Sequence, residues 1–414
     1  MIFEIIKHFA PPRSRPHVQV VFTLTPSTAT SLTAMGRATA TATATATIML
    51  CSGQACAQAD LETALTAYEA SNYQEAITPF TDAANTGDAK AQYYLGKLHA
   101  QGLGTPRDPV TAAMWFKRAA QAGHSLAQYQ LGKMYGRGDG VTKDLADALH
   151  WLRRAAHQGE ARAEFTLGFV YANGVGVKAD LPQAHLWYAR AAASGHGGAQ
   201  HNLGLMYYKG TGITTDLGKA ITWFENSAKS GHPAALHSLA TLLRRGEGLP
   251  KDSARAAELL ERAARQGHVK AQFDLGQMVR AGDGVERDLV KAIRLYRAAA
   301  DQGHTRAQYN LAFLLAHAPA PLSSPHTAVR YYRLAAAAGH VGAMVNLGAM
   351  YGNGFGLEPD PVQAFAWWSL AQAAGDANAA KNLAQLRRSL TSEQLEQGQS
   401  ALAALGQKLD AYKP

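Results

Sequence analysis

Six histidines share one register of this chain: His124, His196, His232, His268, His304 and His340 each follow a glycine directly, 36 residues or a multiple of 36 apart. Neutral imidazole is a common metal ligand and titrates near neutral pH, so a row of histidines could hold cations or move protons. The same slot holds Asp88, Glu160 and Asp376 elsewhere, and Pro233 follows His232. An acceptor side chain directly ahead of a first-turn proline is an N-cap arrangement. The histidines are therefore expected to cap helices. Residues on successive turns of a repeating array would also be spread along it, not gathered around one ion. A second pair, His201 and His237, is likewise 36 residues apart. One helix spacing, about 9–10 Å, would separate them, near enough to share a cation. No carboxylate accompanies them at that position, which otherwise holds Tyr93, Tyr129, Phe165, Phe273 and Tyr309. Aromatic substitution therefore competes with metal binding, and no cofactor is expected.

Catalytic signatures are missing. The chain contains no His-Glu-x-x-His, no Gly-x-Ser-x-Gly and no Ser-x-x-Lys. Its Gly-x-Gly turns are never followed by the Gly-Lys-Ser/Thr of a phosphate loop, so they read as helix stops. An enzyme is not expected. An envelope hydrolase remains as a minor alternative without a visible nucleophile–base pair.

What must position these residues is a ruler of glycines: Gly87, Gly123, Gly159, Gly195, Gly231, Gly267, Gly303, Gly339 and Gly375. An alanine stands four residues after each, from Ala91 to Ala379, and a leucine four further on, from Leu95 to Leu383. Eight full repeats fit between the first and last glycine, with a half-repeat at each end. Ala91, Leu95 and Leu98 fall on one face of a first helix. Gly96, kept in most repeats, is expected to let two helices approach closely. A Gly-x-Gly ends that helix, and an aspartate (108, 144, 180, 216, 252, 288 and 360) is placed to cap a second one. The second helix carries an alanine and a bulky pair such as Trp115-Phe116 or Trp187-Tyr188. One repeat departs: residues 317–325 read His-Ala-Pro-Ala-Pro-Leu-Ser-Ser-Pro in place of the glycines, with Ser324-Pro325 expected to keep the cap.

The pattern Ala-Gln-Tyr-x-Leu-Gly, then Tyr-x-x-Gly-x-Gly-Val, Asp, Ala, Trp-Phe and Ala-Ala-x-x-Gly resembles the Sel-one-like repeat, a 36-residue relative of the tetratricopeptide repeat. The resemblance implies an all-α fold, a right-handed α/α superhelical solenoid of helix-turn-helix repeats. It also implies an adaptor or assembly role, with the first helices lining a concave wall. Some cysteine-rich relatives act weakly on β-lactams, but they are built around disulfides that this chain lacks. Residues 60–87 look like a tetratricopeptide-like opening unit, with Tyr68, Tyr73, Ala76 and Phe80. Residues 88–389 form the repeat array, and 390–414 an amphipathic capping helix with Leu395, Leu402, Leu405 and Leu409.

Residues 1–59 read as an address. A weakly apolar Ala/Thr stretch leads to Ala55-Cys56-Ala57-Gln58-Ala59, a signal-peptidase pattern with cleavage after Ala59, or failing that after Ala57. Met35 is a candidate true start. A periplasmic or secreted protein follows, with a cytoplasmic adaptor carrying a low-complexity tail as the alternative. Cys51 and Cys56, the only cysteines, precede the repeats, which excludes a disulfide framework or a thiolate zinc site from them. The net charge of +9 is spread without a Lys/Arg cluster, so nucleic acid is not an expected partner. No apolar run of about 18 residues indicates a transmembrane helix.

The surface then carries the function. Opposite Ala91, Leu95 and Leu98 lie the offsets of residues 90, 93, 97 and 101. They yield Lys97, Tyr129, Lys133, Arg137, Phe165, Phe169, Lys209 and Arg245 as the candidate partner-binding residues, in a groove for a protein or peptide or, alternatively, a cell-envelope glycan. Beyond Arg245 the same offsets read as smaller and more neutral: Gln277, Ala281, Phe313, Gly342 and Ala349.

Overall fold

A computed structural model describes residues 53–411, the side chains of residues 53–60 and 408–411 excepted. Residues 1–52, with Met35, Cys51 and most of the expected leader, lie outside the described residues. The described chain forms twenty helices and no strand. Helix α1 (Gly53–Glu69) runs unbroken through Ala59, and α2 (Tyr73–Asn85) completes the opening pair.

Each full repeat yields two short helices, all but one of 13 residues, and such helices are marginal alone, so packing between them must supply their stability. The chain divides into two compact units. The first, through Leu167 with Val175–Lys178, holds α1, α2, α3 (Ala89–Gln101), α4 (Pro109–Gln121), α5 (Ser125–Arg137), α6 (Leu145–His157) and the first half of α7 (Ala161–Asn173). The second, Gly168–Gly174 and everything from Ala179, holds the rest of α7 and the remaining helices. Within each unit consecutive helices pack on one another, and the repeated alanines are sealed in the contacts: Ala91, Ala112, Ala127, Ala199, Ala220 and Ala235 are all 0% exposed.

The slot of Gly96 brings two helices close, a Cβ added at Gly132 or Gly204 lying 3.1 Å from Ala148 O or 3.2 Å from Ala220 O, and it also seats a side chain. A Cβ at Gly168 would stand 2.5 Å from the Tyr188 ring, at Gly204 2.7 Å from Phe224 and at Gly276 2.8 Å from Tyr296. The glycine thus makes room for the bulky side chain of the second helix, twenty residues on, to lie flat on the first. The ruler glycine has another reason. At Gly195 an added Cβ would meet nothing, but φ is +81°, a left-handed conformation that only glycine adopts without cost.

Capping follows the sequence closely. Asp108, Asp144, Asp180, Asp216, Asp252, Asp288 and Asp360 all accept backbone N–H bonds at the start of a second helix. Nδ1 of His124, His196, His268, His304 and His340 accepts the N–H three residues on, at 3.1–3.2 Å. His232 has the same backbone geometry but makes no side-chain cap bond. A further cap has no counterpart in the sequence reading. Buried Gln92, Gln128, Gln200, Gln272 and Gln308 each donate Nε2 to the carbonyl eight residues earlier, closing the preceding second helix. Glu164 takes that slot in the third repeat and is also buried.

In the irregular repeat, α15 (Thr305–His317) ends on extended Ala318, where its counterparts end on a left-handed glycine. Ser324 does not cap α16 (Pro325–Ala337) through its side chain; its hydroxyl donates to the Thr327 hydroxyl at 2.7 Å. The repeat survives because the backbone bond between the turn and the first helix is kept. Ser324 N donates to Leu315 O at 2.7 Å, as Asp288 N does to Val279 O at 3.1 Å. At the C-terminal end α20 (Ser392–Ala411) packs on α18 (Pro361–Ala373), and Leu395 and Leu405 lie against the core there.

Candidate functional site

The eight candidate residues fall in two places. Lys97, Tyr129, Lys133, Arg137 and Phe165 belong to the first unit; Phe169, Lys209 and Arg245 belong to the second. In the first unit the aromatic member is a packing residue. Tyr129 is only 8% exposed, with Lys133 Nζ at 5.3 Å and the Arg162 guanidinium at 5.3 Å from its ring centre. Burial pushes the Lys133 ammonium down to about 8, and the charges of Arg137 and Arg162 add to the shift. Lys97 lies 4.9 Å from the Tyr68 ring, so its stem and head are also part of the packing. Arg137 is exposed, and Phe165 is half-buried.

The reason lies one repeat further on. The ring in the slot of Tyr93 packs on the capping histidine 31 residues later: Tyr93 on His124 at 4.7 Å, Phe273 on His304 at 4.6 Å and Tyr309 on His340 at 4.3 Å between centres. His201 and His237 do the same, on His232 at 5.5 Å and on His268 at 5.2 Å. They are ring replacements in an aromatic slot. Nor do they converge on one point: His201 Nε2 lies 3.1 Å from Ser238 Oγ, and His237 Nε2 lies 2.8 Å from Asp274 Oδ2. The carboxylate thought to be lacking therefore exists, supplied by the next repeat and engaged by one histidine alone. Among the described residues no three His, Cys, Asp or Glu side chains gather as metal ligands would. Burial pushes His201 down to about 3, with the neighbouring imidazoles of His232, His268 and His237 contributing, and pushes His232 and His268 down to about 4.

Lys209 and Arg245 border a cavity of about 340 Å³ in the second unit. Helix α9 (Gly197–Lys209) supplies His201, Leu205, Tyr208 and Lys209, and α10 (Leu217–Lys229) supplies Phe224. Helix α11 (Pro233–Arg245) gives Ala234, His237, Ser238, Thr241, Leu242 and Arg245; His268 and Lys270 close it at the start of α13 (Val269–Ala281). A more open depression of about 480 Å³ follows, with Lys270, Asp274 and Arg306 on its walls. The expectation that the surface turns neutral beyond Arg245 is thus corrected. Lys270 and Arg306 stand at the offset of Lys90 and Arg162, a legible signal that taking Gly342 alone from that offset passes over. Imidazole, hydroxyl and ammonium groups line the cavity, and Ser238 Oγ lies within hydrogen-bond reach of His201 Nε2, but among the described residues no carboxylate orients that imidazole. The arrangement offers groups that can bind a ligand.

A family model described as the Sel1 repeat matches residues 89–124, 125–160, 161–196, 198–232, 233–268, 269–304, 305–340 and 341–376, the irregular copy included. Among solved structures, a Sel1 repeat protein from Oxalobacter formigenes is 34% identical, over 58% of this chain and 99% of its own, with a TM-score of 0.57. A protective antigen present in uropathogenic Escherichia coli strains, which displays an SLR fold, is 28% identical over 87% of this chain and 85% of its own, with a TM-score of 0.52. No curated protein matches.

Proposed function

The chain belongs to the Sel1 repeat family, and on that premise we propose that it is a non-catalytic scaffold holding a protein partner on the face formed by its first helices, in the bacterial cell envelope. Sel1 repeat proteins generally mediate protein–protein interaction and are typically non-catalytic. The observation that carries the reading here is the cavity between α9, α11 and α13, where exposed Lys209, Arg245 and Lys270 surround an apolar floor. Apolar pockets rimmed by a few polar groups are what binding surfaces use for affinity and orientation. The reading is for a protein and not a glycan, because the aromatic slot that would offer ring faces to sugars is packed between repeats. The envelope location rests on the Ala-x-Ala pattern at Ala57–Ala59, and no described helix is long and apolar enough to cross a membrane.

The test is partner capture from the native host with full-length protein, followed by mass spectrometry. Replacing Arg137, Lys209 and Arg245 by glutamine should deplete the captured partner without unfolding the chain, since all three side chains are exposed. The control needs care. Arg118, Arg154 and Arg190 on the second helices each lie over a tryptophan, at 4.7, 5.1 and 4.9 Å from its ring centre, so removing them disturbs packing. Exposed Lys117, Arg255 and Arg294 on second helices are the better set. Loss of the partner with the second-helix set, and retention with the first-helix set, would refute the reading.

A further inference from the structure

The cavity in the second unit has a charge pattern that specifies more than a generic protein surface. Its floor is apolar: Leu205, Phe224 and Leu242 belong to one packed cluster. Its rim carries three cations, Lys209, Arg245 and Lys270. Two carboxylates lie close by, and both are already engaged. Asp274 accepts from His237 at 2.8 Å. Glu247 accepts from the Tyr208 hydroxyl at 3.2 Å and reaches Arg245 only at 3.9 Å. Lys209 and Lys270 have no ion-pair partner among the described residues. The chain thus gathers positive charge on three successive first helices around a depression large enough for a side chain, and leaves most of it uncompensated. A cleft lined by one sign of charge attracts ligands of the other and orients them.

We propose that this cavity takes an acidic segment of the protein partner, an Asp or Glu side chain entering it so that its methylenes rest on Leu205, Phe224 and Leu242 while its carboxylate meets Lys209, Arg245 and Lys270. The inference deepens the scaffold reading and rests on it. The carboxylate gains charge-assisted hydrogen bonds from donors that otherwise face water. The apolar floor distinguishes the site from a merely basic surface, because it rewards a carboxylate carried on a short aliphatic stem.

The experiment is fluorescence anisotropy with full-length protein and three labelled peptide pools of equal length and matched apolar content: acidic, neutral and basic. The acidic pool should bind most tightly, and its affinity should fall as salt is raised. Lys209→Gln, Arg245→Gln and Lys270→Gln combined should weaken it by about tenfold, as the loss of three rim charge contacts implies. The Lys117→Gln, Arg255→Gln and Arg294→Gln set should leave it unchanged. Glu247→Gln removes the one carboxylate near Arg245, so it should strengthen binding of the acidic pool, an effect that mere damage to the fold would not produce. Neutral or basic peptides binding as tightly as acidic ones, a combined rim variant with parental affinity, or weaker binding in Glu247→Gln would each overturn the acidic specificity and leave the scaffold reading standing. No binding by any pool, together with no partner captured from the host, would overturn both.

Discussion

Replacing Gly168 by leucine tests the packing on which the rest depends. A Cβ there would lie 2.5 Å from Tyr188 Cδ1, 2.7 Å from Cε1 and 2.9 Å from Cγ. Carbon atoms prefer about 3.5–4.0 Å, so the first added atom alone overlaps the ring by about 1 Å. Tyr188 is 3% exposed, in α8 (Leu181–Ala193), and cannot swing into solvent without leaving its packed face. Helix propensity works the other way, since leaving glycine gains up to about 1 kcal/mol in a helix interior. Overpacking costs about 1–3 kcal/mol and sometimes more, and the further carbons of leucine add to the clash. The net loss for Gly168→Leu should be about 2 kcal/mol, with Gly168→Ala losing less because the gain in helix propensity offsets part of its smaller clash. Alanine is natural in this slot at Ala240 and Ala312, so the cost at Gly168 depends on how far Tyr188 can retreat. Repeat arrays need not unfold in one step, so the urea midpoint should be read beside amide hydrogen exchange in α7 and α8. A leucine variant with the parent's midpoint and unchanged exchange in those helices would show that Gly168 does not face Tyr188.

Three further outcomes are expected. At Gly195 the constraint is φ and not space, so Gly195→Ala should cost about 1–2 kcal/mol and Gly195→Asn less, because asparagine tolerates the left-handed region; equal thermal melts for the two would count against this. Glu164→Gln should be tolerated within about 0.5 kcal/mol, because glutamine fills that slot in five sister repeats, and a markedly lower melting temperature would contradict the shared role. Burial holds the His201 pKa at about 3 in the folded chain. The unfolded chain binds that proton near pH 6.5, so the stability held by the neutral imidazole is present above that pH and lost as pH falls toward the folded value, up to about 3 kcal/mol by about pH 4. His201→Phe, the natural occupant of the slot in two other repeats, should therefore lose less stability than the parent between about pH 7 and about pH 4. Parallel acid profiles by circular dichroism would refute it.

Much of the local structure was legible in one sequence because near neighbours determine it. The helix periods, the aspartate and histidine N-caps and the left-handed glycines involve residues within one turn of each other, and the 36-residue ruler repeats them until chance is excluded. The arginines over Trp115, Trp151 and Trp187 were equally local, three residues apart, and could have been read from the second-helix pattern.

What the tertiary structure alone decided are meetings between repeats. Tyr93 reaches His124 across 31 residues, and His237 reaches Asp274 across 37. These contacts turned the aromatic slot from a candidate groove lining into packing, and separated two histidines that matched spacing had suggested as a pair. The cavity is of the same kind. Lys209 and Arg245 are marked in the sequence only by their offset, and with Lys270 they become one rim because three first helices line the same cavity. A period fixes which offset a residue occupies, because backbone geometry is local. Which side chains then touch depends on how neighbouring helices are set against each other, and that is governed by the volumes filling the space between them, such as Tyr188 on Gly168.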